Sequence, residues 1–162
     1  MSEDIDALHT LFAEVSLGAP ENAVGFVLWR VMHRYKRAID RALKSTGLTH
    51  LQFTALAMAA WLAKSDEPVT QAALAKAGEI HPMQVSQILK ALETKGLVDR
   101  ARDPRDVRAK RVEITAEGVG LLRQAMPLVV CVQQRMFGGA EAETGNLLSM
   151  LRQIEADDRD MD

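Results

Sequence analysis

Apolar residues return at the spacing of one helical face along most of this 162-residue chain. Val24, Val27, Leu28, Val31, Tyr35, Ala38, Ala42 and Leu43 form one stripe and predict a long helix over about 21–46, ended by Gly47. A weaker helix over 4–16, with Ile5, Leu8, Leu11, Phe12 and Val15, precedes it and stops at "LGAPEN". In "LTHLQFTALAMAAWLAKS", Thr49 is placed as a cap for an apolar run through Trp61. Pro68 in "SDEPVT" cannot continue a helix, and Thr70 is placed to cap the next, "TQAALAKAGEI", which closes near Gly78. In "HPMQVSQILKALETKG", Pro82 takes the first-turn position, Gly96 the C-terminal one, and Val85, Ile88, Leu89 and Leu92 recur as one buried face. "LVDRAR" and "AKRVEI" alternate as strands on either side of the turn-forming "DPRDVR". Thr115 then caps a helix expected to reach about Phe137 and to bend at Pro127; beyond "GGAE", a last helix carries Leu147, Leu148, Leu151 and Ile154.

Two short helices joined by a tight turn, the second running directly into a charged hairpin, are the order of a winged helix-turn-helix. The expected fold is therefore mainly α with a small β-wing. The N-terminal helices (1–46) and C-terminal helices (116–162) are expected to form a dimerisation region around a DNA-binding winged region (47–115). The formal charge of −2 looks unsuited to nucleic acid, but it is unevenly spread. Between His81 and Arg111 eight Lys/Arg face four acids, which leaves −6 on the remainder. A local basic patch on an otherwise acidic chain orients a protein towards phosphates.

The stretch "VTQAALAKAGEIHPMQVSQILKALETKGLVDRARDPRDVRAKRVEITAEG" resembles the MarR (multiple-antibiotic-resistance-type) family of transcriptional regulators. The most specific part is D-x-R-x-x-R, here Asp103, Arg105 and Arg108, in a wing that leads into "ITAEG". The resemblance implies an obligate homodimer with interleaved terminal helices. It also implies a pseudo-palindromic DNA operator, often with a small ligand or oxidant tuning affinity, and a crevice that in relatives takes aromatic acids. Two positions depart from the family's pattern. His81 stands where a Ser-type cap is common, making the start of that helix weaker or pH-sensitive, and no cysteine lies near the start of the long first helix.

On a helical wheel with Val85 inward, Met83, Gln87, Lys90 and Thr94 face outward, flanked by Gln84 and Ser86. Glutamine can pair with adenine, methionine can touch a thymine methyl, and lysine and serine suit phosphates. The DNA-contacting set is thus His81, Pro82, Met83, Gln84, Ser86, Gln87, Lys90, Asp103, Arg105 and Arg108. Arg105 is the minor-groove candidate, and Asp103 is placed to pair with Arg105 or Arg108. Arg100 and Arg102 either contact phosphate or keep the edge strand soluble. Trp29, Arg30, His33 and Arg37, with His50, Phe53 and Trp61, mix aromatic walls and basic groups suited to a small organic effector; taken alone, each tryptophan reads as core rather than as a ligand wall. The His and Cys residues have no ligand-like spacing, so no metal or other cofactor is expected. Cys131, within "PLVVCVQQ", reads as a small buried hydrophobe. No P-loop, G-x-S-x-G, H-E-x-x-H or Rossmann fingerprint is present, so an enzyme is not expected. An acidic N-terminus and no long apolar run lead to the expectation of a cytoplasmic protein with no membrane partner. The expected function is a homodimeric repressor on an inverted-repeat, double-stranded operator, released by a small amphipathic ligand. The alternatives are a redox- or metal-responsive regulator of the same fold, or a helical interaction protein that does not bind DNA.

Overall fold

The computed structural model describes residues 2–15, 22–65, 67–102, 110–138 and 143–159. Its elements are α1 (Ser2–Val15), α2 (Val24–Ala42) with a 3₁₀ turn over Leu43–Thr46, α3 (His50–Leu62), α4 (Gln71–Gly78) and α5 (Pro82–Thr94). These are followed by β1 (Val98–Arg102), β2 (Lys110–Ile114), α6 (Ala116–Phe137) and α7 (Glu143–Arg159). The chain divides into two compact units, 1–38 and 39–162.

In the larger unit every helix from α3 to α6 starts on a capping side chain. Thr49 accepts from the Gln52 amide while the Gln52 side chain accepts from the Thr49 amide, a reciprocal capping box. Thr70 caps α4 through the Ala73 amide, and Thr115 caps α6 through the Gly118 amide. The core gathers Ile39 and Leu43 with Phe53, Leu56, Leu74, Val85, Leu89, Leu92, Val98, Val112 and Val129. The predicted inward face of α5 is buried in full. β1 and β2 pair antiparallel from Val98↔Ile114 to Arg102↔Lys110. A short third piece joins them, since the Val112 amide donates to the Val69 carbonyl at 2.8 Å and Thr70 bridges to Arg111.

Two details differ from the expected pattern, and one refines it. The long helix is α-helical only to Ala42 and tightens into a 3₁₀ turn before Gly47, which is left-handed at φ 68°. α4 closes at Gly78 as expected, and the left-handed residue that follows it is Glu79, at φ 49°. Gly78 matters for contact instead: a Cβ there would lie 3.1 Å from the Met58 methyl of α3. Cys131 is exposed, and Arg135 donates to its sulfur at 3.5 Å, so the expectation of a buried thiol is overturned. Ala125, Val129 and Val132 hold the buried side of α6, and two residues on from Val129 the helix has turned Cys131 away.

α1, α2 and α7 each carry apolar stripes that the single chain leaves exposed. Ile5, Leu8 and Leu11 on α1 are each 51% exposed, while Leu147, Leu148, Leu151 and Ile154 on α7 range from 37% to 57%.

Candidate nucleic-acid interface

The helix-turn-helix is α4 and α5, and the second helix is fixed at both ends and along one side. At its start Pro82 supplies the pre-set first-turn geometry, and the His81 ring nitrogen Nδ1 accepts from the Met83 amide at 3.2 Å. His81 is therefore a working cap in the place of the usual serine. The Gln71 side-chain amide, from the first turn of α4, donates to the Pro82 carbonyl at 3.3 Å. At its end Gly96 is left-handed at φ 69°, and the Leu97 amide returns to the Leu92 carbonyl at 3.0 Å. Lys95 Nζ donates to the Gly47 carbonyl at 2.6 Å and to Gln52 Oε1 at 2.8 Å, tying this end to the turn before α3.

The side anchor is an ion pair to the wing. Arg100 donates from Nε (2.9 Å) and a terminal nitrogen (2.5 Å) to Glu93 Oε2. Period-two alternation explains the placement, because Arg100 shares the inward side of β1 with buried Val98 and lies opposite buried Val112. The Arg100 side chain is only 15% exposed. Hydrogen bonding to Arg100 lowers the Glu93 pKa from the ordinary glutamate value. Neither role expected for Arg100, phosphate contact or a solubilising edge charge, describes it: it joins β1 to α5.

With α5 held, its outward face presents Met83, 67% exposed, together with exposed Gln84, Gln87, Lys90 and Thr94; Ser86 is half-buried. Of the basic residues counted in the sequence, Lys95 and Arg100 are engaged internally, and Arg111 Nε pairs with Glu113 at 3.0 Å. Lys90 and Lys110 remain exposed. Asp103, Arg105 and Arg108 lie outside the described residues, as does the rest of the wing tip.

The expected effector residues are divided between the two units. Trp29, Arg30, His33 and Arg37 share α2 in the first unit, whereas His50, Phe53 and Trp61 belong to the second. Phe53 is a correction: at 7% exposure it is a core residue and not a wall open to ligand. The His50 amide at the start of α3 donates to Asp40 Oδ1 at 2.7 Å. Trp61 is 67% exposed, with the Lys64 ammonium 3.9 Å from its ring centroid. Trp29 is 57% exposed, so neither tryptophan is core within this chain. Sequence reasoning passed over Gln71, Glu93, Lys95 and Arg34. The signal for Arg34 was available in its spacing, i+4 from Arg30 and i−3 from Arg37. Among the described residues, no cluster of three or more His, Cys, Asp or Glu side chains has the grouping to hold a metal ion, and no helix is long and apolar enough to cross a membrane.

The sequence model of the MarR family matches residues 46–109, which begin at the last residue of the 3₁₀ turn and run through α3, α4, α5 and β1 to the residue before β2. YdcH of Bacillus subtilis, described as an uncharacterized HTH-type transcriptional regulator, is 32% identical over 135 residues, covering 83% of this chain and 91% of YdcH. CouR from Rhodococcus jostii RHA1, solved bound to p-coumaroyl-CoA, is 30% identical with a TM-score of 0.70, covering 84% of this chain and 91% of CouR. A mutant MarR from Escherichia coli, solved with operator DNA, has the same fold at a TM-score of 0.75 and 24% identity, over 89% of this chain and 97% of that one. On the match to YdcH and the family's winged helix-turn-helix, the chain belongs to the MarR family of transcriptional regulators.

Proposed function

We propose that the protein is a homodimeric repressor that binds an inverted-repeat operator with α5 in the major groove and the wing beside it, and that a small amphipathic organic ligand releases it. The observation that carries this reading is the exposed row of Met83, Gln84, Gln87 and Lys90 on a helix held by Gln71, Lys95 and Arg100. Sequence readout needs such a helix, because a bidentate amide–adenine contact tolerates little misplacement. Lys90 and Lys110 suit phosphates, and Arg105 and Arg108 are assigned to the wing's backbone and minor-groove contacts. The exposed stripes on α1, α2 and α7 support dimerisation, since helices of this length are marginal alone and gain stability by burying an apolar face. CouR's bound p-coumaroyl-CoA supports an organic effector.

The reading is tested by titrating the protein with the intergenic DNA upstream of its own gene. Operator binding should be salt-dependent, and an aromatic ligand should weaken it. A ligand that lowers operator affinity tenfold must prefer the released conformation by about 1.4 kcal/mol. The exposed Cys131 beside Arg135 favours a second reading, in which oxidation of the thiol is the signal. A parent protein whose operator binding ignores peroxide excludes it; peroxide release of the parent that is lost in Cys131→Ser establishes it.

A further inference from the structure

The polar side of α2 is more specialised than solvation requires. Counting about 100° per residue from Val24, the apolar stripe occupies one side of the helix, and Phe26, Trp29 and His33 fall on the far side, about 140–200° round. The three rings form a continuous ridge. Phe26 and Trp29 stack with centroids 6.1 Å apart and an interplanar angle of 11°, and Trp29 meets His33 at 4.1 Å. His33 Nδ1 is also 2.8 Å from the Trp29 carbonyl, which holds the imidazole against the indole. Beside the ridge run Arg30, Arg34 and Arg37, spaced i, i+4, i+7 and all exposed. Arg30 leans over the Phe26 ring at 5.7 Å.

Like charges at this spacing repel and destabilise a helix. A solvated helix face relieves that by interleaving acids, and α2 does not: its single acid, Asp40, accepts from the His50 amide. Among the described residues no ion pair joins Arg30, Arg34 or Arg37 to a carboxylate. The ladder spans about 10 Å along the helix axis. An aromatic carboxylate carries one charge and engages one guanidinium. Three guanidinia in line, next to an open aromatic stack, match a ligand that joins several phosphoryl groups to a planar ring.

We infer that this face of α2 binds the nucleotide half of a coenzyme A thioester, with Arg30, Arg34 and Arg37 on its phosphates and the Phe26–Trp29–His33 ridge against adenine. The inference rests on the organic-effector reading and gives that effector a chemical class. Exposed Trp29 supplies the stacking face, and the cation–π contact places Arg30 where ring and phosphates meet. The acyl group is left to a different part of the protein, so coenzyme A without any acyl group is already a ligand.

Calorimetric titration of the full-length protein with coenzyme A, p-coumaroyl-CoA and free p-coumarate tests this. Coenzyme A should bind the parent protein. Arg34→Ala should weaken coenzyme A and the thioester by about tenfold while leaving p-coumarate unchanged, as loss of one charge-assisted contact requires. Arg34→Lys should recover part of the loss. Equal coenzyme A affinity in parent and alanine variant overturns the inference, and so does a parent protein that does not bind coenzyme A. Weaker operator binding by the alanine variant without ligand also overturns it, because the ladder is then a DNA contact. The two readings fail separately. If coenzyme A and its thioester bind through the ladder without loosening the operator, the site stands and the effector reading falls. If p-coumarate alone releases the operator and coenzyme A does not bind, the effector reading stands and the nucleotide site falls.

Discussion

Gly118 has no room for a side chain. A Cβ there would overlap the Leu97 carbonyl oxygen, which already accepts from the Thr115 amide, while the Thr115 hydroxyl donates to the Gly96 carbonyl. The "ITAEG" motif is thus a joint: it fastens the start of α6 to the end of α5 and the start of β1. Gly118→Ala should destabilise the protein by about 1–3 kcal/mol, seen as a lower Tm in thermal unfolding, because the obstacle is backbone and cannot step aside. Glu79 makes the opposite case. It adopts φ 49° with a Cβ, at a position where glycine carries no such penalty, so Glu79→Gly should raise stability by about 1 kcal/mol in denaturant titration. No change in the midpoint would mean that the glutamate side chain compensates locally. A glycine beside a turn suggests the left-handed role, yet Gly78 is there for its approach to Met58, and only the backbone angle distinguishes the two uses.

At the level of elements, Glu93 and Arg100 join α5 to the wing, so the proposed reading head is one connected piece. The Glu93 carboxyl has a lower pKa folded than unfolded, so the folded state binds fewer protons through this group. The pair's contribution is therefore fully present above the ordinary glutamate value and is lost as pH falls through the lowered folded value. Glu93→Gln should accordingly be less stable than the parent at neutral pH and converge with it in acid, measured by urea unfolding across pH. Its operator affinity should fall as well, although neither residue faces outward from α5. Much of this architecture was legible in the chain. The caps at Thr49, Thr70 and Thr115, the one-sided apolar face of α5 and the alternation of the hairpin each obey a local rule, and local rules hold where a single element decides the outcome. Arg100 and Cys131 were misread because composition was weighed over period. An arginine in a basic hairpin suggests phosphate, and a cysteine among valines suggests burial. Counting two residues from Val98 and two from Val129 places the first inward and the second outward. Gln71 and Lys95 had no such signal, since their partners Pro82, Gly47 and Gln52 come from other elements.

For the whole molecule, two such reading heads are proposed to act on one duplex. The apolar stripe of α7 leaves Leu148 46% and Ile154 57% exposed in the single chain, a surface that a partner chain is proposed to cover. Truncation after Gly139 should give monomeric or aggregated protein in sedimentation, and a well-folded monomer would count against the proposed dimer. A two-fold pair of winged helices would set half-sites about one helical turn apart, roughly 10 base pairs centre to centre. The most direct test is a fluorescence-anisotropy titration of the upstream intergenic duplex at several salt concentrations, using the parent, Gln87→Ala and Arg105→Ala proteins. The account predicts a loss of roughly 1–3 kcal/mol for Gln87→Ala, confined to one position in each half-site. For Arg105→Ala it predicts weaker binding on all sequences and a salt slope lower by about one unit. Operator affinity that is unchanged in both variants would contradict it.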